Sequence, residues 1–259
     1  MSSATGGTGV AGVSGTEAAF LNPAMIPVLG MSGFEAFYRE AARSTAVSIG
    51  DGLGAIDSSP EVWFPGTLHY VRLRERGRGT GTAKGELWHA GVGKRVADQL
   101  NLGLSAYRLI LEDGAGKSTQ WNFSLGALWM ITRGFGVGYS VQNLARPGSD
   151  VPVALREPTR QILGVLAPLG GAARFRADIA RIEKGNPDRK LVYMVGFESK
   201  TTDLFMARVG FRRDDLLKRS FWSAGMGFDG PRLKIDYAFE KASEESSGAL
   251  HSVDLRLPF

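Results

Sequence analysis

Between Trp121 and Ile131 the chain alternates without a break: Trp121, Phe123, Leu125, Ala127, Trp129 and Ile131 fall on one face, and Asn122, Ser124, Gly126, Leu128 and Met130 on the other. Strict period-two alternation is the signature of a β-strand with one apolar face. The pattern returns at 100–106, 135–141, 191–197, 205–211, 222–228, 233–239 and 253–259. Weaker candidates at 34–40, 44–50, 67–75, 85–93, 160–168 and 173–182 bring the total to about fourteen strands. Turn-rich connectors such as Glu112-Asp113-Gly114, Asn186-Pro187-Asp188 and Asp229-Gly230-Pro231 separate them, so the reading is one continuous antiparallel, all-β meander. A helical bundle is excluded by composition: 35 of the 259 residues are glycine, and each glycine inside a helix costs about 1 kcal/mol relative to alanine.

The second face of these strands decides which β-architecture applies. A soluble sandwich packs its apolar faces together and turns Lys, Glu and Thr to water. Here the face opposite the apolar residues carries Gly91, Gly93, Gly103, Gly126, Gly136, Gly138, Gly196, Gly210, Gly225 and Gly227 among Ser, Arg and Asp, as suits the crowded inside of a curved sheet. Trp121 and Trp129 lie eight residues apart on the apolar face, which is about 26 Å along a strand. At a tilt of about 40° this becomes about 20 Å of height, close to the apolar band of an outer-membrane barrel and its aromatic girdles. A lipocalin-like barrel shares the alternation; the aromatic spacing favours an up-and-down transmembrane β-barrel over residues 31–259, preceded by a short N-terminal segment, 1–30.

Both chain ends support that division. Val253, Leu255, Leu257 and Phe259 share a face, which resembles the C-terminal strand of bacterial outer-membrane barrels; the resemblance implies that the barrel-assembly machinery reads Phe259. Pro258 departs from that pattern, since proline belongs at a strand edge or end. At the other end, the small-residue run Gly6-Gly7-Thr8-Gly9-Val10-Ala11-Gly12-Val13 is followed by Ala18-Ala19-Phe20-Leu21-Asn22-Pro23-Ala24. This resembles the N-terminal segment of the FadL-type long-chain fatty-acid transporters and the related PorV-type barrels. The resemblance implies a lumenal plug around Asn22, Pro23 and Ala24, a fourteen-stranded barrel and a hydrophobic or lipid ligand. Leu21, Ile26 and Val28 are expected to pack inside, with a turn at Asn22-Pro23. The connectors are short, the longest being 142–159 and 51–66, so an extracellular capture platform is reduced.

Other chemistries find little support. Cysteine is absent, and with it any disulfide, thiolate metal site or cysteine nucleophile. His69, His89 and His251 have no metal-ligand spacing, no Gly-x-Ser-x-Gly elbow occurs, and neither a cofactor nor an enzymatic activity is expected. Gly114-Ala115-Gly116-Lys117-Ser118-Thr119 mimics the end of a phosphate-binding loop, but Leu111 stands where the first glycine is required, and a strand follows in place of a helix. Arg72, Arg74, Arg76 and Arg78 lack the stacking aromatics of a nucleic-acid site, and the net charge of +5 is too mild to imply one. At a barrel rim these arginines would meet anionic lipid.

The charge-free stretch 18–34 is broken by Pro23, Pro27, Gly30 and Gly33, so it makes no membrane helix. Met1-Ser2-Ser3-Ala4 lacks the features of a secretory signal, so either the protein is cytoplasmic or a signal was removed and a start methionine added; the expected bacterial outer-membrane location requires the second.

If the apolar faces meet lipid, Arg174, Arg176, Asp178, Arg208, Arg212, Lys234 and Asp236 point into the lumen. Two roles stand for them: ion pairs filling a narrow interior, or an electropositive lining for a carboxylate or phosphate headgroup. In the second, Val192, Met194 and Met206 would line the ligand's chain. The functional expectation is an outer-membrane barrel, in contact with outer-membrane lipids, that binds or transports fatty acids or other hydrophobic molecules. The alternative is a structural or partner-binding barrel, such as a lipid-enclosing homo-oligomer or a secretion component, to which the poor alternation near 69–76 and 85–94 points.

Overall fold

The computed structural model describes residues 2–42, 46–77, 82–113, 116–132, 134–145, 158–183, 189–215, 217–243 and 248–259. Asn186-Pro187-Asp188, Arg78, Gly114, Ala115, the start of the 44–50 candidate and most of the 142–159 connector lie outside the described residues. Fourteen strands follow a short N-terminal segment: β1 (Ser32–Ala42), β2 (Ala46–Asp57), β3 (Gly66–Gly77), β4 (Thr82–Arg95), β5 (Leu100–Asp113), β6 (Gly116–Met130), β7 (Gly136–Gln142), β8 (Thr159–Leu169), β9 (Ala173–Glu183), β10 (Arg189–Lys200), β11 (Phe205–Asp214), β12 (Arg219–Asp229), β13 (Lys234–Ala242) and β14 (Leu250–Pro258). Each pairs antiparallel with the next, and β14 closes on β1 from Gly33↔Pro258 to Ala41↔Leu250. Closure leaves no edge strand with unpaired backbone groups, which a lipid environment demands.

Alternation assigns the two surfaces. Leu102, Leu104, Trp121, Phe123, Leu125, Tyr193, Val209 and Trp222 project outward and are exposed, while their sequence neighbours turn inward and are buried or half-buried. The end at which β1 starts and β14 finishes is called the near end below, and the opposite one the far end. The longest connector, between β7 and β8, lies at the far end.

Several boundaries differ from the sequence reading. β2 continues through Asp57, so the connector expected from Asp51 begins only at 58. Gly52 and Gly54 read as loop, yet they are inward positions of a strand, and outward Asp51 pairs with Arg72 at 2.5 Å. β5 runs on to Asp113, where its outward face changes from leucine to Arg108 and Glu112. The poor alternation of 69–76 and 85–94 has the same origin: outward Arg72, Arg74, Lys84 and Glu86 all sit toward the far end, while His69 and His89 are inward. Finally, β14 stops at Pro258, a position where the missing N–H is tolerated. Phe259 lies just beyond, its amide donating to the Ser32 carbonyl at 3.0 Å and its ring tilted against Phe34.

The glycines of the inner face have a specific use. The N-terminal segment comprises a 3-10 turn at Ser2–Thr5, one α-helical turn at Ala18–Leu21 and a 3-10 helix at Pro23–Val28. Its backbone presses on the inward glycines around the barrel. A Cβ on Gly138 would overlap the Val10 carbonyl, one on Gly103 the Pro23 backbone and one on Gly210 the Thr5–Gly6 peptide; on Gly93 it would meet Pro27 Cδ at 2.6 Å. These positions tolerate no side chain because main chain, which cannot swing aside, occupies the space. Thr5, Thr8, Ala18, Ala19, Asn22, Ala24 and Ile26 are in consequence fully buried.

Candidate functional site

The described interior divides into three levels. Nearest the near end lies a ladder of charges on β9, β10, β11, β13 and β14. Glu198 receives Arg208 Nε at 2.6 Å and Arg176 Nη2 at 3.2 Å, with Arg174 Nη1 at 3.8 Å. Asp236 bridges Arg208 and Arg256, each at 2.5 Å. Arg176, Arg208 and Arg256 are buried as completely as any leucine in a soluble core, and such ions persist only when paired and hydrogen-bonded. Gly227 makes the pairing sterically possible, since a Cβ there would stand 2.5 Å from Asp236 Oδ1 and 2.9 Å from Arg208 Nη1.

The middle level is the N-terminal segment, tied to the wall by polar side chains. Asp178 accepts the amides of Gly9 at 2.8 Å and Val10 at 3.1 Å. Glu35 accepts Thr16 N at 2.8 Å, and Ser223 Oγ accepts Gly6 N at 2.9 Å. Asn22 caps the Pro23–Val28 helix through Ala24 N, and its Nδ2 donates to the carbonyls of Val10 and Ala127. Gln142 Nε2 donates to the carbonyls of Phe20 and Leu21. Toward β3 and β4 the contact is aromatic: Phe20 stacks on His89, centroids 4.1 Å apart, and tilts against His69 at 4.6 Å.

The third level, toward the far end, is apolar on two opposing arcs. Val71 on β3 and Leu109 on β5 form one; Ile162, Ala180, Ile182, Val192 and Met194 on β8 to β10 form the other and meet Val10 of the segment below. The levels run from apolar arcs and the Arg212–Glu240 pair toward the far end, over a seated backbone, to paired ions toward the near end.

The residues singled out from sequence distribute over all three levels. Arg174, Arg176, Arg208 and Asp236 belong to the ladder. Asp178 leaves the cations to Glu198 and Asp236 and holds the N-terminal segment instead. Arg212 pairs with Glu240 at 2.8 Å toward the far end, and Lys234 with Asp229 at 2.5 Å at the near-end mouth. Met194 and Val192 stand beside Arg212 and Asp214, whereas Met206 lies below the ladder, its Sδ 3.8 Å from Arg208 Nη2, so the three do not form one lining. Glu198, Arg256, Glu35 and the Phe20 ring cluster were not anticipated, although the parity of Val195 and Phe197, and of Leu255 and Leu257, already places Glu198 and Arg256 inward. Gly116, Lys117, Ser118 and Thr119 open β6, with no helix for a phosphate. Among the described residues no group of three or more metal-ligating side chains occurs, and no helix is long and apolar enough to cross a membrane.

No family model matches the sequence, and no curated protein matches it. Solved structures do match it over its whole length. The CymD monoaromatic hydrocarbon channel superposes with a TM-score of 0.78 at 13% identity, covering 100% of this chain and 96% of that one. The Ralstonia pickettii toluene transporter TbuX gives 0.73 at 15% identity, covering 100% and 97%. A Pseudomonas aeruginosa FadL homologue gives 0.67 at 14% identity, again covering 100% and 97%. The fold of this chain is that of the FadL-type outer-membrane β-barrels.

Proposed function

We propose that this protein is a bacterial outer-membrane channel that takes up small hydrophobic molecules without covalent chemistry. The near end, which holds both barrel termini, faces the periplasm, and the far end, which carries the long 143–158 connector, faces outside. The observation that supports the reading is the apolar inward side chains toward the far end, Val71 and Leu109 on one arc and Ile162, Ile182, Val192 and Met194 on the other, the second arc packed on Val10 of the N-terminal segment. Residues 1–30 act as the plug. Because the described part of that segment fills the middle level with almost no exposed atoms, passage requires it to shift. Arg176, Arg208, Arg212 and Arg256 serve the structure, each against a carboxylate partner, which favours an uncharged cargo. Phe259 is the residue the barrel-assembly machinery would read, and its exposure beside Phe34 at the near-end rim supports that reading.

The test is uptake of a radiolabelled monoaromatic hydrocarbon and of a long-chain fatty acid by vesicles carrying the protein. Leu109→Asp, which puts a charge onto one of the apolar arcs, is expected to reduce hydrocarbon uptake at least tenfold while the heat-modifiable mobility of the folded barrel persists. Undiminished uptake by this variant would refute the assignment of the arcs to the uptake path.

A further inference from the structure

On the outer wall at the near end the apolar surface is hollowed. Register puts Phe34 of β1, Ala55 of β2 and Leu68 of β3 in one outward row, and a methyl group between two large side chains leaves a trough along β2. Val62 and Phe64 of the 58–65 connector and Phe259 add to its walls, giving a groove of about 370 Å³. The connector is fastened on both sides: Ser58 N donates to the Met31 carbonyl, and Gly93 N of β4 to the Pro65 carbonyl, each at 3.0 Å. Phe34, Phe64, Leu68 and Phe259 are exposed on the outer face, so the groove opens away from the lumen.

Two opposite charges flank it. Asp57 ends β2 and lines the groove. Its Oδ1 accepts Ser32 Oγ at 2.7 Å, Ser59 Oγ at 3.0 Å and Ser59 N at 3.2 Å, which leaves Oδ2 without a partner among the described residues. Beyond Phe64, the Lys94 ammonium lies 4.0 Å from the Trp63 ring centroid and 4.5 Å from that of Phe64. Two aromatic rings hold this cation, and among the described residues no carboxylate pairs with it. Its N–H donors remain available to an anionic oxygen. Exposed Glu61, Arg95 and Asp98 complete the charges of this rim from β1 to β5, so neither sign dominates. A lone cation and a half-used carboxylate beside a hydrocarbon trough match a molecule that joins a phosphate, an ammonium and an acyl chain. A purely anionic head would meet the carboxylates unfavourably. Aromatic and cationic side chains at the rim of a membrane barrel stand at headgroup level, where that molecule is a phospholipid.

We propose that this groove is a binding site for one zwitterionic phospholipid of the phosphatidylethanolamine type, with an acyl chain along Ala55, the phosphate on Lys94 and the ammonium on Asp57. The site rests on the outer-membrane placement but not on the uptake path, since it lies outside the barrel.

Native mass spectrometry of the full chain in non-ionic detergent tests this with phosphatidylethanolamine and phosphatidylglycerol of the same chains, and with chainless glycerophosphoethanolamine. One phosphatidylethanolamine per barrel is expected to be retained at least tenfold more tightly than phosphatidylglycerol. Lys94→Ala and Ala55→Phe, which fills the trough, are each expected to weaken it at least tenfold; Lys94→Arg, which keeps the cation, is expected to retain most of the affinity. Asp57→Asn is expected to abolish the preference between the two lipids. All variants change outward or rim positions, and heat-modifiable mobility verifies that each barrel is folded. Equal retention of the two lipids by the unmodified protein, undiminished binding in Lys94→Ala or Ala55→Phe, or competition by glycerophosphoethanolamine as strong as by the lipid would each overturn the proposal. Hydrocarbon uptake by Ala55→Phe is expected to match that of the unmodified protein, and insertion of the unmodified chain into vesicles tests the membrane placement separately, so the readings fail independently.

Discussion

Replacing Asp178 by alanine removes the carboxylate that accepts the amides of Gly9 and Val10 at 2.8 and 3.1 Å, and leaves both donors buried between segment and wall. A hydrogen bond to a charged group contributes about 1.5–3 kcal/mol, so the pair holds the segment by about 3–6 kcal/mol at that point. Since each 1.4 kcal/mol is tenfold in an equilibrium, local release of the chain around Gly9 is expected to become about 10²–10⁴ times more frequent. The release stays local because Thr16 remains on Glu35 and Asn22 on Val10 and Ala127. Amide hydrogen exchange in detergent micelles reads this directly: protection at Gly9 and Val10 is expected to drop by that factor, and protection along β9 and β10 to persist. Ser223→Ala, which removes the single neutral acceptor of Gly6 N, is expected to cost about 1 kcal/mol and to change protection at Gly6 only about fivefold. Unchanged exchange at Gly9 and Val10 in Asp178→Ala would refute the claim that this carboxylate seats the segment.

Leu125→Arg places a cation on the outer face of β6, where Leu125 is half exposed; denaturant titration of folding into vesicles is expected to show a loss of about 2–4 kcal/mol if that face meets the bilayer midplane. Arg208→Ala strips Glu198 and Asp236 of a shared, fully buried partner, and the same titration is expected to record a loss of about 3–5 kcal/mol. Hydrocarbon uptake per folded barrel by the Arg208 variant is expected to stay within twofold of the unmodified protein, because the ladder lies away from the apolar arcs.

The strand number was legible because alternation is a local property: each outward residue from Trp121 to Trp129 reports its own orientation. Strand lengths were less so. At Asp51 and Arg108 the outward face turns polar while the ladder hydrogen bonds continue, and a side-chain pattern is blind to a backbone that keeps pairing. Inward orientation of Arg176, Arg208 and Asp236 was legible for the same reason as the outer face. Their partners were not, because pairing of Arg208 with Asp236 across β12 depends on barrel curvature and on Gly227 leaving room, neither of which is a local signal. The inward glycines read as relief for crowded side chains, which Gly227 provides for Asp236 and Arg208, but at Gly103, Gly138 and Gly210 the crowding comes from the main chain of the N-terminal segment. Asp178 shows the limit most clearly: its spacing beside Arg176 suggests an ion pair, and only the path of Gly9 and Val10 shows what it holds.

The central claim, that hydrophobic cargo crosses only when the N-terminal segment shifts, can be tested by locking that segment. A Cβ built on Gly91 lies 3.4 Å from Ala19 Cβ, near the separation of about 3.5–4.5 Å that a disulfide spans. The chain has no cysteine, so Ala19→Cys with Gly91→Cys introduces the sole pair. Hydrocarbon uptake by vesicles carrying this variant is expected to stop on oxidation and to return on reduction. Equal uptake by the oxidised and reduced protein, with the disulfide verified by mass spectrometry, would contradict the account.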